Sequence, residues 1–143
     1  MENYEGAAEA RLQDWEALSS GRRKVGAIHF GGIYIECLLK SIICSEHGVL
    51  DGAPGKWVVD GSVVARPRHV LTAPCYRNLL TDLYDDMPGD VMDALEYLSS
   101  PGSTDYIDYR YIPESGITDA VYEEWLEKFI KVFHYLDNKK REV

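Results

Sequence analysis

The sequence predicts a mostly α-helical domain carrying one small β-hairpin near residues 57–64. Apolar residues recur at helical spacing along most of the chain, from 5–19 through 118–138. Asp60-Gly61 stands between two β-branched runs, where a tight hairpin needs positive φ at both turn positions. The 143 residues, 45% hydrophobic and 11% aromatic, are enough for one domain with a sizeable core.

Taken in order, residues 5–19 place Ala8, Leu12, Trp15 and Leu18 on one helical face, and Ser19-Ser20-Gly21 ends that helix. Residues 22–46 form the strongest segment. Ile28, Ile35, Leu38, Leu39 and Ile42 make its stripe, while Phe30, Ile33 and Cys37 lie off it. A helix apolar nearly all round is central to a bundle or shared with a second subunit, so a symmetric homodimer is expected. Gly31 and Gly32 each cost about 1 kcal/mol against Ala in a helix interior, which points to another backbone passing close by.

A loop with Gly48, Gly52, Pro54 and Gly55 leads into the hairpin. It is marginal alone and must lean on the helices. Pro67 and Pro74 bracket His69. A helix over 76–86 turns Leu79, Leu80 and Leu83 inward; Pro88-Gly89 breaks it, and a short helix over 90–98 buries Val91, Leu95 and Leu98. Residues 99–117 read as loop with an extended centre. The last helix, 118–138, spaces Val121, Trp125, Phe129, Val132 and Leu136 along one face, with Thr118 as N-cap. Disorder is expected only in the first few residues and from Asn138 to Val143.

A net charge of −9 argues against strong non-specific nucleic-acid binding, which needs a basic face. Local basic groups remain at Arg22-Arg23-Lys24, at Arg66 with Arg68, and at 139–141. Three cysteines without paired spacing disfavour a disulfide framework. The acidic start MENYEGAAEA lacks a hydrophobic signal core, and no uninterrupted apolar run approaches membrane-spanning length. A reducing cytoplasm is the expected home, with no membrane contact. No glycine-rich phosphate loop, nucleophile elbow or zinc pattern occurs, so no metal or cofactor is expected.

The stretch Ala27-Ile28-His29-Phe30-Gly31-Gly32-Ile33-Tyr34-Ile35-Glu36-Cys37-Leu38-Leu39-Lys40 resembles the second helix of HEPN domains. Gly32, Glu36, Leu39 and Lys40 fall in register with that family's A-x-Y-x-A-G-Y-A-x-E-x-x-L-K pattern. Asp108-Tyr109-Arg110-Tyr111 is similar to its Arg-Tyr element ahead of the last helix. The resemblance implies a bundle of four or five helices, often dimeric, with the hairpin as an addition to the minimal core. Family members include RNase toxins, partners of minimal nucleotidyltransferases and binding modules. Catalytic members carry an Arg, four to six residues, then a His near the last helix. Here that helix holds His134, whose nearest upstream Arg is Arg110, so the match departs from the catalytic pattern.

Several residues bear chemistry. Arg23 and His29 have the catalytic spacing but sit at the start of the second helix, where six helical residues turn through roughly 240° and part them. His29 is therefore expected to pack, with general-base action as the sharper alternative. His69 beside Arg66 and Arg68 is a phosphate-binding or proton-transfer patch, or else a solvated loop. Tyr106, Tyr109, Arg110 and Tyr111 suit either base stacking or sealing a core. Cys37 and Cys44 read as small buried hydrophobes, and Asp82, Asp85, Asp86 and Asp90 as a solvated face. Glu36 in so apolar a helix needs a partner. The resemblance implies that Arg110 lies near this helix, so the expected network runs from Glu36 to Arg110, anchoring residues 105–112, with Lys40, at the i, i+4 spacing, nearer solvent. The leading functional expectation is a HEPN-like protein working through protein contacts in a toxin–antitoxin or defence system with a nucleotidyltransferase-type partner. The alternative is a metal-independent endoribonuclease, with RNA or a nucleotide as ligand and Arg23, His29 or His69 at its site.

Overall fold

A computed structural model of the protein describes residues 1–141. Helices α1 (Tyr4–Ser20) and α2 (Lys24–Glu46) come first, then strands β1 (Val49–Asp51), β2 (Lys56–Val59) and β3 (Ser62–Ala65). Helices α3 (Pro74–Leu79), α4 (Thr81–Asp85) and α5 (Gly89–Ser99) follow. Three 3₁₀ turns, Pro101–Ser103, Tyr106–Tyr111 and Glu114–Gly116, lead into α6 (Asp119–Arg141). The protein is mostly α with a small antiparallel sheet, as its periodicity predicts.

The core is built round α2, which packs against α1, α6 and the Tyr106–Tyr111 turn. By length and composition alone α2 could cross a membrane, yet 78% of its most apolar stretch is buried inside the fold. Its apolar circumference is thus covered within one chain, and it no longer supplies a reason to expect a second copy. Gly31 and Gly32 admit aromatic rings rather than the backbone expected there. A Cβ on Gly32 would lie 2.3 Å from the Tyr106 ring, and one on Gly31 2.5 Å from Trp125.

The sheet runs β1-β2-β3, one strand more than the expected hairpin. Leu50 pairs with Val58 and Val58 with Val63, which points that row outward. Trp57 points inward, fully buried, with its ring 5.9 Å from Tyr4. Asp60 and Gly61 both take positive φ in the turn, as the Asp-Gly signal requires. His47 clasps that turn to the end of α2, with Nδ1 2.7 Å from Asp60 Oδ2 and Nε2 2.7 Å from the Leu79 carbonyl oxygen. Both nitrogens face acceptors, and the Asp60 carboxylate, then the Leu79 carbonyl, raise the imidazole above its ordinary pKa.

Three expectations are corrected. The helix over 76–86 is two helices, because buried Leu80 leaves helical geometry at φ −128°, ψ 51°. Residues 106–111 form a 3₁₀ turn rather than an extended centre. With three residues per turn, Tyr106 and Tyr109 share its buried side. The end of the chain is helical through Arg141, where Lys139 and Lys140 reach Asp86 and Glu5 at 3.6 and 3.5 Å. Of the expected disordered tail, residues 142 and 143 lie outside the described residues. The Thr118 cap is present, its hydroxyl accepting from the Val121 N–H at 3.2 Å.

The glycine contacts make a direct comparison. Gly32→Ala should destabilise by about 1–3 kcal/mol through overpacking against Tyr106, despite its gain in helix propensity. Gly26→Ala meets only the flexible tip of Leu18 at 3.2 Å and should leave the thermal midpoint unchanged or raised. Melts of the two variants should differ by several degrees; equal midpoints would remove the close-packing explanation.

Candidate functional site

Midway along α2, the Glu36 carboxylate gathers three donors. Its Oε2 accepts from Lys40 Nζ at 2.6 Å, one helical turn on. Its Oε1 lies 2.6 Å from His69 Nδ1 and accepts from the Tyr106 hydroxyl. An ionised carboxylate only accepts, so Nδ1 carries a proton and the opposite ring nitrogen is left free of this contact. The Tyr106 ring stands edge-on to His69, at 87° and 5.9 Å between centroids.

Each partner is held from behind. Lys40 is 4% exposed, with its ammonium 5.4 Å from the centre of the Tyr4 ring. Tyr4 in turn accepts a long hydrogen bond from Arg66 Nη2 at 3.4 Å. The segment carrying His69 is clamped by buried tyrosines: Tyr76 donates to the Arg68 carbonyl and Tyr84 to the Leu71 carbonyl. Ser99 Oγ accepts from the Leu71 N–H at 3.0 Å. Tyr106 is placed by the 3₁₀ turn, its ring lying over the bare face of Gly32.

Burial alone pushes the Glu36 carboxyl pKa up. The Lys40 charge and the hydrogen bonds from Lys40, Tyr106 and His69 outweigh burial and hold it below the ordinary carboxylate range. Burial, then the Glu36 charge, pushes the Tyr106 hydroxyl far up, so it remains a proton donor to Glu36.

Glu36, Lys40 and His69, with Tyr106 buried behind them, form one wall of a cleft of about 400 Å³ that Arg66 and Arg68 also line. Gly55 and Pro67 complete the lining. The side chains of Lys40, Arg66 and Arg68 bring three positive charges to it. The only carboxylate there already accepts three hydrogen bonds. Such a cleft suits an anion.

A second cavity, about 420 Å³, brings together Arg23, His29, Arg110 and Glu114 against Leu18, Phe30 and Ile112. This corrects the divergence expected of Arg23 and His29. Arg23 is the N-cap of α2, at φ −92° and ψ 79°, so it stands outside the helix whose rotation was to part the pair. His29 packs as expected, 8% exposed, with Nδ1 3.0 Å from the Tyr106 carbonyl oxygen. Burial chiefly lowers its pKa; Arg110 and His69 add to that, against the Tyr106 carbonyl. The Glu114 carboxylate caps α2, accepting from the Lys24 and Val25 N–H groups.

Other site expectations resolve differently. Arg110 does not reach Glu36. It projects outward from the 3₁₀ turn and lies 4.8 Å from the ring of exposed Tyr111. Tyr106, which the reading of the sequence left out of the network, takes that place, so Glu36 does anchor this segment, through a phenol. Lys40 is buried rather than near solvent, because Glu36 and the Tyr4 ring draw it in. Tyr109 donates to the Pro101 carbonyl within the core and so stays away from the cleft.

No family model, curated protein or solved structure matches the chain. Its own geometry yields a test. Glu36→Gln leaves the Lys40 ammonium buried against a neutral amide and should cost roughly 3–5 kcal/mol. Because the folded Glu36 pKa is depressed, its contribution is full above the ordinary value of 4.5 and is lost as pH falls through the lower folded value. Thermal melts across acidic pH should therefore show a lower midpoint for the variant at neutral pH and a shallower acid decline. An unchanged midpoint and an identical acid limb would remove Glu36 as the anchor.

Proposed function

We propose that this chain is a HEPN-like helical-bundle protein that recognises an anionic, phosphate-bearing group at the Glu36–His69 cleft and acts through its contacts rather than by bond-making chemistry. One observation carries the reading. In a chain of net charge −9, three cationic side chains and an imidazole line a single cleft whose one carboxylate is already engaged. Two long helices joined by a short turn, with a tyrosine-rich turn packed on the second, support the family likeness. The proposed setting is a toxin–antitoxin or defence system in the cytoplasm with a nucleotidyltransferase-type partner. The outward row Leu50, Val58 and Val63 leaves Leu50 and Val63 65% and 70% exposed.

Calorimetric titration with inorganic phosphate tests the cleft. Arg66→Ala and Arg68→Ala should each weaken binding about tenfold or more, since a hydrogen bond to a charged group contributes about 1.5–3 kcal/mol. Absent binding, or binding indifferent to both variants, would contradict the proposal. RNA incubated with the protein and a metal chelator should remain intact.

A second reading, metal-independent endoribonuclease, draws on the second cavity. There a buried imidazole with lowered pKa sits with Arg23 and Arg110, the elements of a general base and a charge stabiliser. Chelator-resistant RNA cleavage abolished by His29→Ala would make this the leading function.

A further inference from the structure

The cleft has a depth gradient that bears on the class of its ligand. We infer that it takes the terminal phosphate of a small phosphate monoester, phosphate first, and reads neither an internal phosphodiester nor a base. The inference rests on the proposed anion recognition at this cleft and names its ligand class.

Burial sets the shape. Lys40 and Glu36, at 4% and 8% exposure, lie at the inner end of the cleft, backed by Tyr4 and Tyr106, which are buried themselves. Arg66 and Arg68 are exposed and stand at the mouth, one on each side of buried Pro67, which fixes the segment between them. Buried residues at its floor and exposed arginines above them suit a group that terminates there. An internal phosphodiester carries chain on both sides and needs a groove open at two ends.

Charge agrees with shape. A monoester carries close to two negative charges near neutral pH, whereas a diester carries one. Lys40, Arg66 and Arg68 offer three positive charges, with Glu36 opposing. Lys40 spends one N–H on Glu36, lies over the Tyr4 ring and lines the cleft. Arg68 carries a planar fork able to hold two phosphate oxygens, and Arg66 adds the N–H groups that it does not spend on Tyr4. Three free oxygens of a monoester match this set better than the two of a diester.

The lining also lacks a stacking platform. Among the described residues that line it His69 is the one aromatic, and the tyrosines nearby lie behind the wall or, like Tyr111, in a different part of the surface. Gly55 at the edge has open space where a side chain would stand, leaving room for the organic part of the ligand to point outward. Recognition therefore stops at the phosphate.

Titration of the full chain with ribose 5-phosphate, adenosine 5′-monophosphate and cyclic 3′,5′-adenosine monophosphate tests the assignment. The two monoesters should bind within a few-fold of each other, and the cyclic diester at least tenfold more weakly. Arg68→Ala, at an exposed position, should lower monoester affinity about tenfold, and Arg68→Lys should restore only part of it. Diester binding equal to monoester binding, with both lost in Arg68→Ala, would overturn the monoester assignment and leave anion recognition standing. A strong preference for the adenine-bearing monoester over ribose 5-phosphate would overturn phosphate-only reading. No binding of any of the three, nor of inorganic phosphate, would overturn this inference and the proposed function together.

Discussion

Position 36 puts a carboxylate on the most apolar helix of the chain. Isolating such a charge from water costs several kcal/mol even after relaxation, more than any single surface contact returns. The cost is offset only because donors arrive from three directions. Lys40 comes from the next turn of α2, His69 from the segment after the sheet, and Tyr106 from the 3₁₀ turn before α6. His69 and Tyr106 each fasten a different part of the chain to the core helix. The depressed pKa of Glu36 records that their attraction exceeds the penalty of burial.

The same requirement shapes the surface. To reach Glu36, His69 must approach the helix, and the tyrosine clamps at Arg68 and Leu71 hold its segment there. Arg66 and Arg68 then open beside the buried Lys40, and a strongly acidic protein acquires a local concentration of positive charge there. Tyr106 also links the two cavities, since its hydroxyl serves Glu36 in one while its carbonyl accepts from His29, which lines the other. Gly32 is what lets its ring lie that close to α2.

Much of this architecture was legible as pattern. The helical spacing in α1, α2, α5 and α6 and the Asp60-Gly61 turn are local signals, and local signals persist in the fold. Strand β1 was not legible because three residues, Val49–Asp51, carry too little alternation to stand out. The break at Leu80 was not legible because the spacing turns Leu80 inward as a continuous helix would, and its departure to φ −128° and ψ 51° carries no local signal. In the site, the need of Glu36 for partners followed from its apolar neighbours, while Lys40, four residues on, was expected nearer solvent and is instead drawn in. His69 stands thirty-three positions away and Tyr106 seventy, so their arrival depends on tertiary packing. One signal for Tyr106 was present. Tyr106 and Tyr109 are three apart, the period of a 3₁₀ turn, which sends both inward and Arg110 outward. The family resemblance put Arg110 near α2, and its guanidinium was given the role that the phenol holds.

The claim that Glu36 binds the Tyr106 turn to the core helix is tested most directly by a double-mutant cycle. Glu36→Gln, Tyr106→Phe and the double variant would be compared with the parent by denaturant unfolding at neutral pH. Groups that share a buried hydrogen bond are expected to couple by about 0.5–3 kcal/mol, so the double variant should lose less than the sum of the single losses. Single losses that add to within about 0.5 kcal/mol would show that the two side chains act independently, and would contradict the account.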